Sequence, residues 1–145
     1  MEFWMEFPHI SAALGAFLLC LQQVLMLSVG FHRTKVKVGI GMAEDADLER
    51  KVRRHGNLAE NSGIFIAVLA LLEVSGMAST AVYWFAVLFA VARISHAVGF
   101  MHQDGSHANL EGNKFFLVTR VIGATLTGWT GLALGGYFGY LILTT

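Results

Sequence analysis

A single cysteine, Cys20, rules out any disulfide within this chain. It stands between Leu19 and Leu21, where it reads as a small apolar filler and carries no message about redox compartment. Charge is scarce as well: 14% of the residues are Asp, Glu, Lys or Arg, against about 25% in a soluble domain. With 55% hydrophobic residues, that scarcity excludes an ordinary soluble fold and points to a membrane protein. Neither sign is in excess, since ten basic and ten acidic residues leave zero formal net charge. The basic residues are interleaved with acidic ones and form no extended patch, which argues against a nucleic-acid partner. Internal repeats, low-complexity tracts and linkers are also missing, so residues 1–145 read as one domain. Metal-ligand spacing is absent too. His9, His32, His55, His96, His102 and His107 share no helix face with the cysteine or with each other, and no metal site is expected.

What is present is four apolar stretches near the roughly 20 residues that cross a bilayer: residues 10–31, about 56–77, about 79–101 and about 115–143. The expected fold is all-α, a bundle of four transmembrane helices. Glu2 and Glu6 precede the first stretch where a signal peptide would be basic, so that stretch is read as a retained span. Arg33, Lys35, Lys37, Arg50, Lys51, Arg53 and Arg54 all fall between spans one and two, which puts the first and third loops in the cytoplasm. Gln22 and Gln23 interrupt the first span and suit hydrogen bonds across a helix interface. Gly131, Gly135 and Gly139 form a four-residue ladder that lets helices approach closely, within the bundle or against a neighbouring subunit.

Between Glu49 and Asn61 the polar run E-R-K-V-R-R-H-G-N-L-A-E-N passes directly into the second span. A helix start near residues 45–47 is expected, with acidic residues at the positive end of the dipole. At 100° per residue, Arg53, Asn57 and Glu60 stand at roughly 0°, 40° and −20°, so a cation, an amide and a carboxylate share one face. Snorkelling to headgroups accounts for Lys51 and Arg54 but leaves Asn57, Glu60 and Asn61 unexplained. In the third span Arg93 and His96 lie one turn apart, and an intramembrane Arg needs a partner. Glu60 is one candidate, in a structural pair; a bound polar ligand is the other. Arg120, one turn inside the fourth span, suits an interfacial anchor and a ligand contact equally.

These patterns resemble the MAPEG family, the membrane-associated proteins in eicosanoid and glutathione metabolism. The pattern E-R-x-x-R-x-H-x-N-x-x-E appears as Glu49, Arg50, Arg53, His55, Asn57 and Glu60. R-x-x-H follows as Arg93 and His96, and R-x-x-G with L-T as Arg120, Gly123, Leu126 and Thr127. The resemblance implies a homotrimer holding glutathione, its co-substrate, between subunits near the cytoplasmic face. Arg50, Arg53, Asn57, Glu60, Arg93 and His96 would hold the tripeptide, and Arg120 would act as the catalytic residue beside its sulfur. The thiolate would then attack a hydrophobic electrophile or a lipid hydroperoxide arriving through the bilayer. Gly56 replaces an Arg of prostaglandin synthase-like members and Phe100 a Tyr of the eicosanoid-making ones. A bacterial-type glutathione transferase or peroxidase of an inner membrane is therefore the better match. Two other readings stand beside it: a non-catalytic lipid- or thiol-binding scaffold, and a small four-span transporter with Glu60 as a cation or proton site.

Overall fold

The computed structural model describes residues 7–76, 79–105 and 113–144. Glu2, Glu6, His107 and the chain end at Thr145 lie outside the described residues. Four helices follow one another: α1 (His9–Val36), α2 (Ala46–Val74), α3 (Ser79–Gly99) and α4 (Lys114–Thr144), with a short 3-10 turn at Gln103–Gly105. All four are long and apolar enough to cross a membrane, and no strand occurs among the described residues. At 1.5 Å per residue, the 31 residues of α4 extend roughly 46 Å, well beyond a hydrocarbon core of about 30 Å.

The bundle is held by one apolar seam. Leu14, Leu18 and Leu25 of α1 meet Leu58, Phe65, Leu69 and Leu72 of α2, Val82, Ala86 and Phe89 of α3, and Leu134 of α4. At its centre the Phe65 and Phe89 rings stack 3.7 Å apart. Leu19, Val24, Leu27, Leu71, Leu88, Val91, Trp129 and Leu132 point outward, as expected where lipid or another copy replaces water.

Local chemistry sets the helix ends. Asp45 caps α2: its carboxylate accepts the N–H groups of Asp47 and Leu48 at 2.9 Å each, while Asp47 and Glu49 occupy the positive first turn. α1 has no such cap of its own, because Pro8 precedes it. Glu73, from the last turn of α2, fills that role. It accepts the N–H of Ile10 and of Ser11 at 2.8 Å each and the Ser11 hydroxyl at 2.6 Å. A carboxylate near the end of the second span is thus explained as an interhelical cap. Between α1 and α2 the Arg33 guanidinium donates to the carbonyls of Gly39 and Gly41, at 3.3 and 2.9 Å, fixing a turn in which Gly41 adopts φ +78°.

α3 and α4 make the closest crossing, and glycine permits it on both sides. A Cβ on Gly99 would lie 2.5 Å from the N, Cα and Cβ of Arg120, and one on Gly123 would strike the backbone of His96. H-x-x-G on α3 and R-x-x-G on α4 therefore interlock, each polar residue seated on the other helix's glycine. The ladder of Gly131, Gly135 and Gly139 plays no such part within the chain, where a Cβ at each would meet open space.

Candidate functional site

A cavity of about 710 Å³ opens where the first turns of α2 meet the end of α3, the 3-10 turn and the start of α4. Glu49, Arg50, Arg53 and Asn57 line it from α2, Phe100, His102, Gln103 and Gly105 from the α3 end, and Arg120 from α4. Three guanidinium groups thus share one cavity with a single carboxylate.

The Arg50 guanidinium donates to the Phe100 carbonyl at 2.5 Å and pairs with Asp47. Arg53 stays two-thirds exposed, with a loose approach of 3.7 Å to Glu49. The Asn57 amide folds back onto the Arg53 carbonyl at 2.9 Å. Arg120 donates one Nη1–H to the Gly105 carbonyl at 2.8 Å, and its guanidinium lies over the Phe100 ring, 4.3 Å from the centroid. Gly105 is pressed against the Gly99 carbonyl so closely that no side chain fits. One chain of contacts therefore runs from the α3–α4 crossing to the position of Arg120.

Arg93 lies one layer deeper and is 2% exposed. It does not pair with Glu60. Its Nη1–H goes to the Asn57 carbonyl at 3.1 Å and its Nη2–H to the Thr127 hydroxyl at 2.5 Å, while Nε has no partner among the described residues. Thr127 in turn donates to the Gly123 carbonyl at 2.7 Å. A buried cation with no counter-ion among the described residues is costly in a membrane, and hydrogen bonds to neutral oxygens offset only part of that. His96, also buried, tilts against Phe100 with 4.9 Å between rings. Glu60 points away from both layers: it is exposed and makes no hydrogen bond or ion pair among the described residues.

The structure thus brings Arg50, Arg53, Asn57 and Arg120 into one cavity, places Arg93 and His96 directly beneath, and leaves Glu60 on the outer face of α2. Sequence reasoning missed Glu49, His102, Gln103 and Gly105 as lining residues, and Thr127 as the partner of Arg93. Thr127 carried one signal, its place in the L-T that follows R-x-x-G in the fourth span. No group of three metal-ligating side chains occurs among the described residues.

Outside the spans, Asp45 has its carboxyl held below the ordinary aspartate value. The largest cause is the hydrogen bond from His32, at 2.9 Å, followed by the Leu48 N–H. It anchors the end of α2 from which the cavity residues project.

A second, apolar groove of about 300 Å³ lies between α2 and α4, lined by Ile64, Phe65, Val68, Phe89, Gly131, Leu134 and Gly135. Asn61 and Thr127 form its polar end. Asn61 donates to the Asn57 carbonyl at 2.8 Å, so the groove begins one layer from the polar cavity.

The family model for MAPEG matches residues 11–135, which reaches into all four helices and includes every lining residue of the cavity and the groove. Comparison with curated proteins and with solved structures gives no match. On that match, the four spanning helices and the polar motifs along α2, α3 and α4, the chain is an integral, multi-pass membrane protein that belongs to the MAPEG family.

Proposed function

We propose that this protein is a glutathione transferase, with glutathione peroxidase activity as a related outcome of the same chemistry. The observation that carries the reading is the cavity in which Arg50, Arg53 and Arg120 face one carboxylate, Glu49. Glutathione presents two carboxylates, one ammonium and a thiol, so a site with several cations, one anion and an amide complements it. Its volume lies within the roughly 300–1,000 Å³ of small-molecule sites.

In this reading Arg50, Arg53 and Asn57 hold the tripeptide and Arg120 faces its sulfur. A free thiol of pKa about 8.5 is mostly protonated at neutral pH, and an adjacent guanidinium stabilises the thiolate. The thiol proton leaves to solvent. The thiolate then forms a carbon–sulfur bond with a hydrophobic electrophile while the leaving group departs with its electron pair. With a hydroperoxide, the thiolate attacks the terminal oxygen, the O–O bond breaks and the alcohol leaves after taking up a proton, and a second glutathione thiol displaces water from the resulting sulfenic acid to form the disulfide. The apolar groove beside Asn61 suits the greasy co-substrate, which reaches it from lipid.

Glu60, Arg93 and His96 complete the site through assembly and support. An exposed carboxylate on a membrane helix, without a partner among the described residues, favours a homotrimer in which a neighbouring copy covers the Arg53–Asn57–Glu60 face. Arg93 and His96 support the cavity floor from below. The concentration of Lys and Arg at the end of α1 and the start of α2 supports cytoplasmic first and third loops, and an inner bacterial membrane suits the departures at Gly56 and Phe100.

Conjugation of glutathione to an apolar aryl halide, and reduction of an apolar hydroperoxide, test the proposal in detergent or vesicles. Either turnover, lost in Arg120→Ala with assembly intact, is the expected result. Glutathione binding with no turnover across a panel of electrophiles contradicts the enzyme reading and favours the scaffold.

A further inference from the structure

Phe100 touches both of the cavity's fixed cations, and by different atoms. It follows Gly99, the last residue of α3, so its carbonyl belongs to the unsatisfied negative end of that helix. That carbonyl accepts the Arg50 guanidinium at 2.5 Å, and the ring face carries the Arg120 guanidinium at 4.3 Å. Phe100 as a whole is 7% exposed and its ring is backed by His96, so it has little room to turn. An aromatic face attracts a cation by its quadrupole and has no acceptor atom of its own to consume an N–H. Of the five N–H donors of Arg120, one is engaged among the described residues, by Gly105. The others are left for an anion in the cavity.

The geometry points to Phe100 as a positioning residue: its ring orients Arg120, and its carbonyl sets the distance from Arg120 to Arg50. The residue does not react. It fixes the separation of two cations and keeps the free edge of Arg120 available, which selects a small, doubly anionic ligand over a neutral one. The inference deepens the thiol-activation reading in naming what Arg120 acts on, and the placement of Arg120 can be tested without any thiol.

The first readout is the Arg120 Nε–H signal in nitrogen-resolved spectra of the detergent-solubilised protein, identified by its absence in Arg120→Lys. Ring current displaces it in the parent and in Phe100→Tyr, and it returns to the ordinary arginine position in Phe100→Leu and Phe100→Met. An Arg120 signal unmoved by both aliphatic variants overturns the placement. The second readout is ultraviolet thiolate absorbance as glutathione is titrated at several pH values. Loss of the ring face raises the half-saturating glutathione about tenfold and moves the thiolate midpoint to higher pH, while Phe100→Tyr restores both. Equal effects of tyrosine and leucine overturn the positioning role. If the parent gives no thiolate signal, the thiol-activation reading fails, and the spectral readout still decides the placement of Arg120.

Discussion

Replacing Gly99 by alanine should separate catalysis from stability in one step. The added Cβ would sit 2.5 Å from three atoms of Arg120, where ordinary contacts run 3.4–4 Å. Backbone atoms cannot swing aside as a flexible side chain can, so α3 and α4 must part by about 1 Å at this crossing. Overpacking of that kind costs about 1–3 kcal/mol, and alanine's better helix propensity returns up to about 1 kcal/mol. Net destabilisation is therefore modest. The effect on the site is larger: moving Arg120 by about 1 Å takes its 2.8 Å bond to the Gly105 carbonyl out of hydrogen-bonding reach. A displacement of that size at reacting groups costs about 100-fold in rate. Gly128→Ala is the control, because a Cβ there meets nothing. Glutathione turnover and thermal unfolding, measured on both variants in detergent, give the comparison. Gly99→Ala should lose about 100-fold in turnover with a small drop in unfolding temperature, and Gly128→Ala neither. Indistinguishable variants would refute the tight crossing and its control of Arg120.

Glu73→Ala leaves three donors at the start of α1 without their acceptor and should cost about 2–4 kcal/mol, read as faster hydrogen exchange at Ile10 and Ser11. Glu73→Gln keeps one acceptor oxygen and should lose about half of that. Because Asp45 is held below its ordinary 3.8, its contribution is present above that value and is lost as pH falls through the lower folded value. Exchange protection of the Asp47 and Leu48 amides should follow that acid decline, and Asp45→Ala should remove the pH dependence. Glu60 has no partner among the described residues, so Glu60→Gln should leave helix content unchanged and weaken glutathione binding and subunit association, seen by circular dichroism, titration and sedimentation.

Much of the architecture was legible because a bilayer constrains it so strongly: long apolar runs become helices, and Asp45 marks a cap by its type and place. Arg53 and Asn57 were legible as neighbours one turn apart on α2, and both line the cavity, whereas Glu60, expected on the same face, does not. What lies opposite a side chain was not legible. Arg93 pairs with a hydroxyl and a backbone carbonyl where the carboxylate of Glu60 was a candidate, because the rotation of α2 turns Glu60 outward while the Asn57 carbonyl faces α3. Glu73 stood out as an oddity, yet its partners are backbone N–H groups of α1, which leave no mark in a sequence. Gly99 and Gly123 were visible as residues, but their interlock depends on how α3 and α4 cross. Phe100 could be read as the loss of a hydroxyl; its contacts with two arginines come from a carbonyl and a ring face that only the tertiary approach brings together.

Thiolate absorbance during glutathione titration into the purified protein at neutral pH, for the parent and Arg120→Ala, tests the central claim most directly. A saturable signal in the parent that disappears in Arg120→Ala, with assembly and helix content retained, is the predicted result. An undiminished signal in Arg120→Ala, or no signal in a correctly assembled parent, would contradict thiol activation by Arg120.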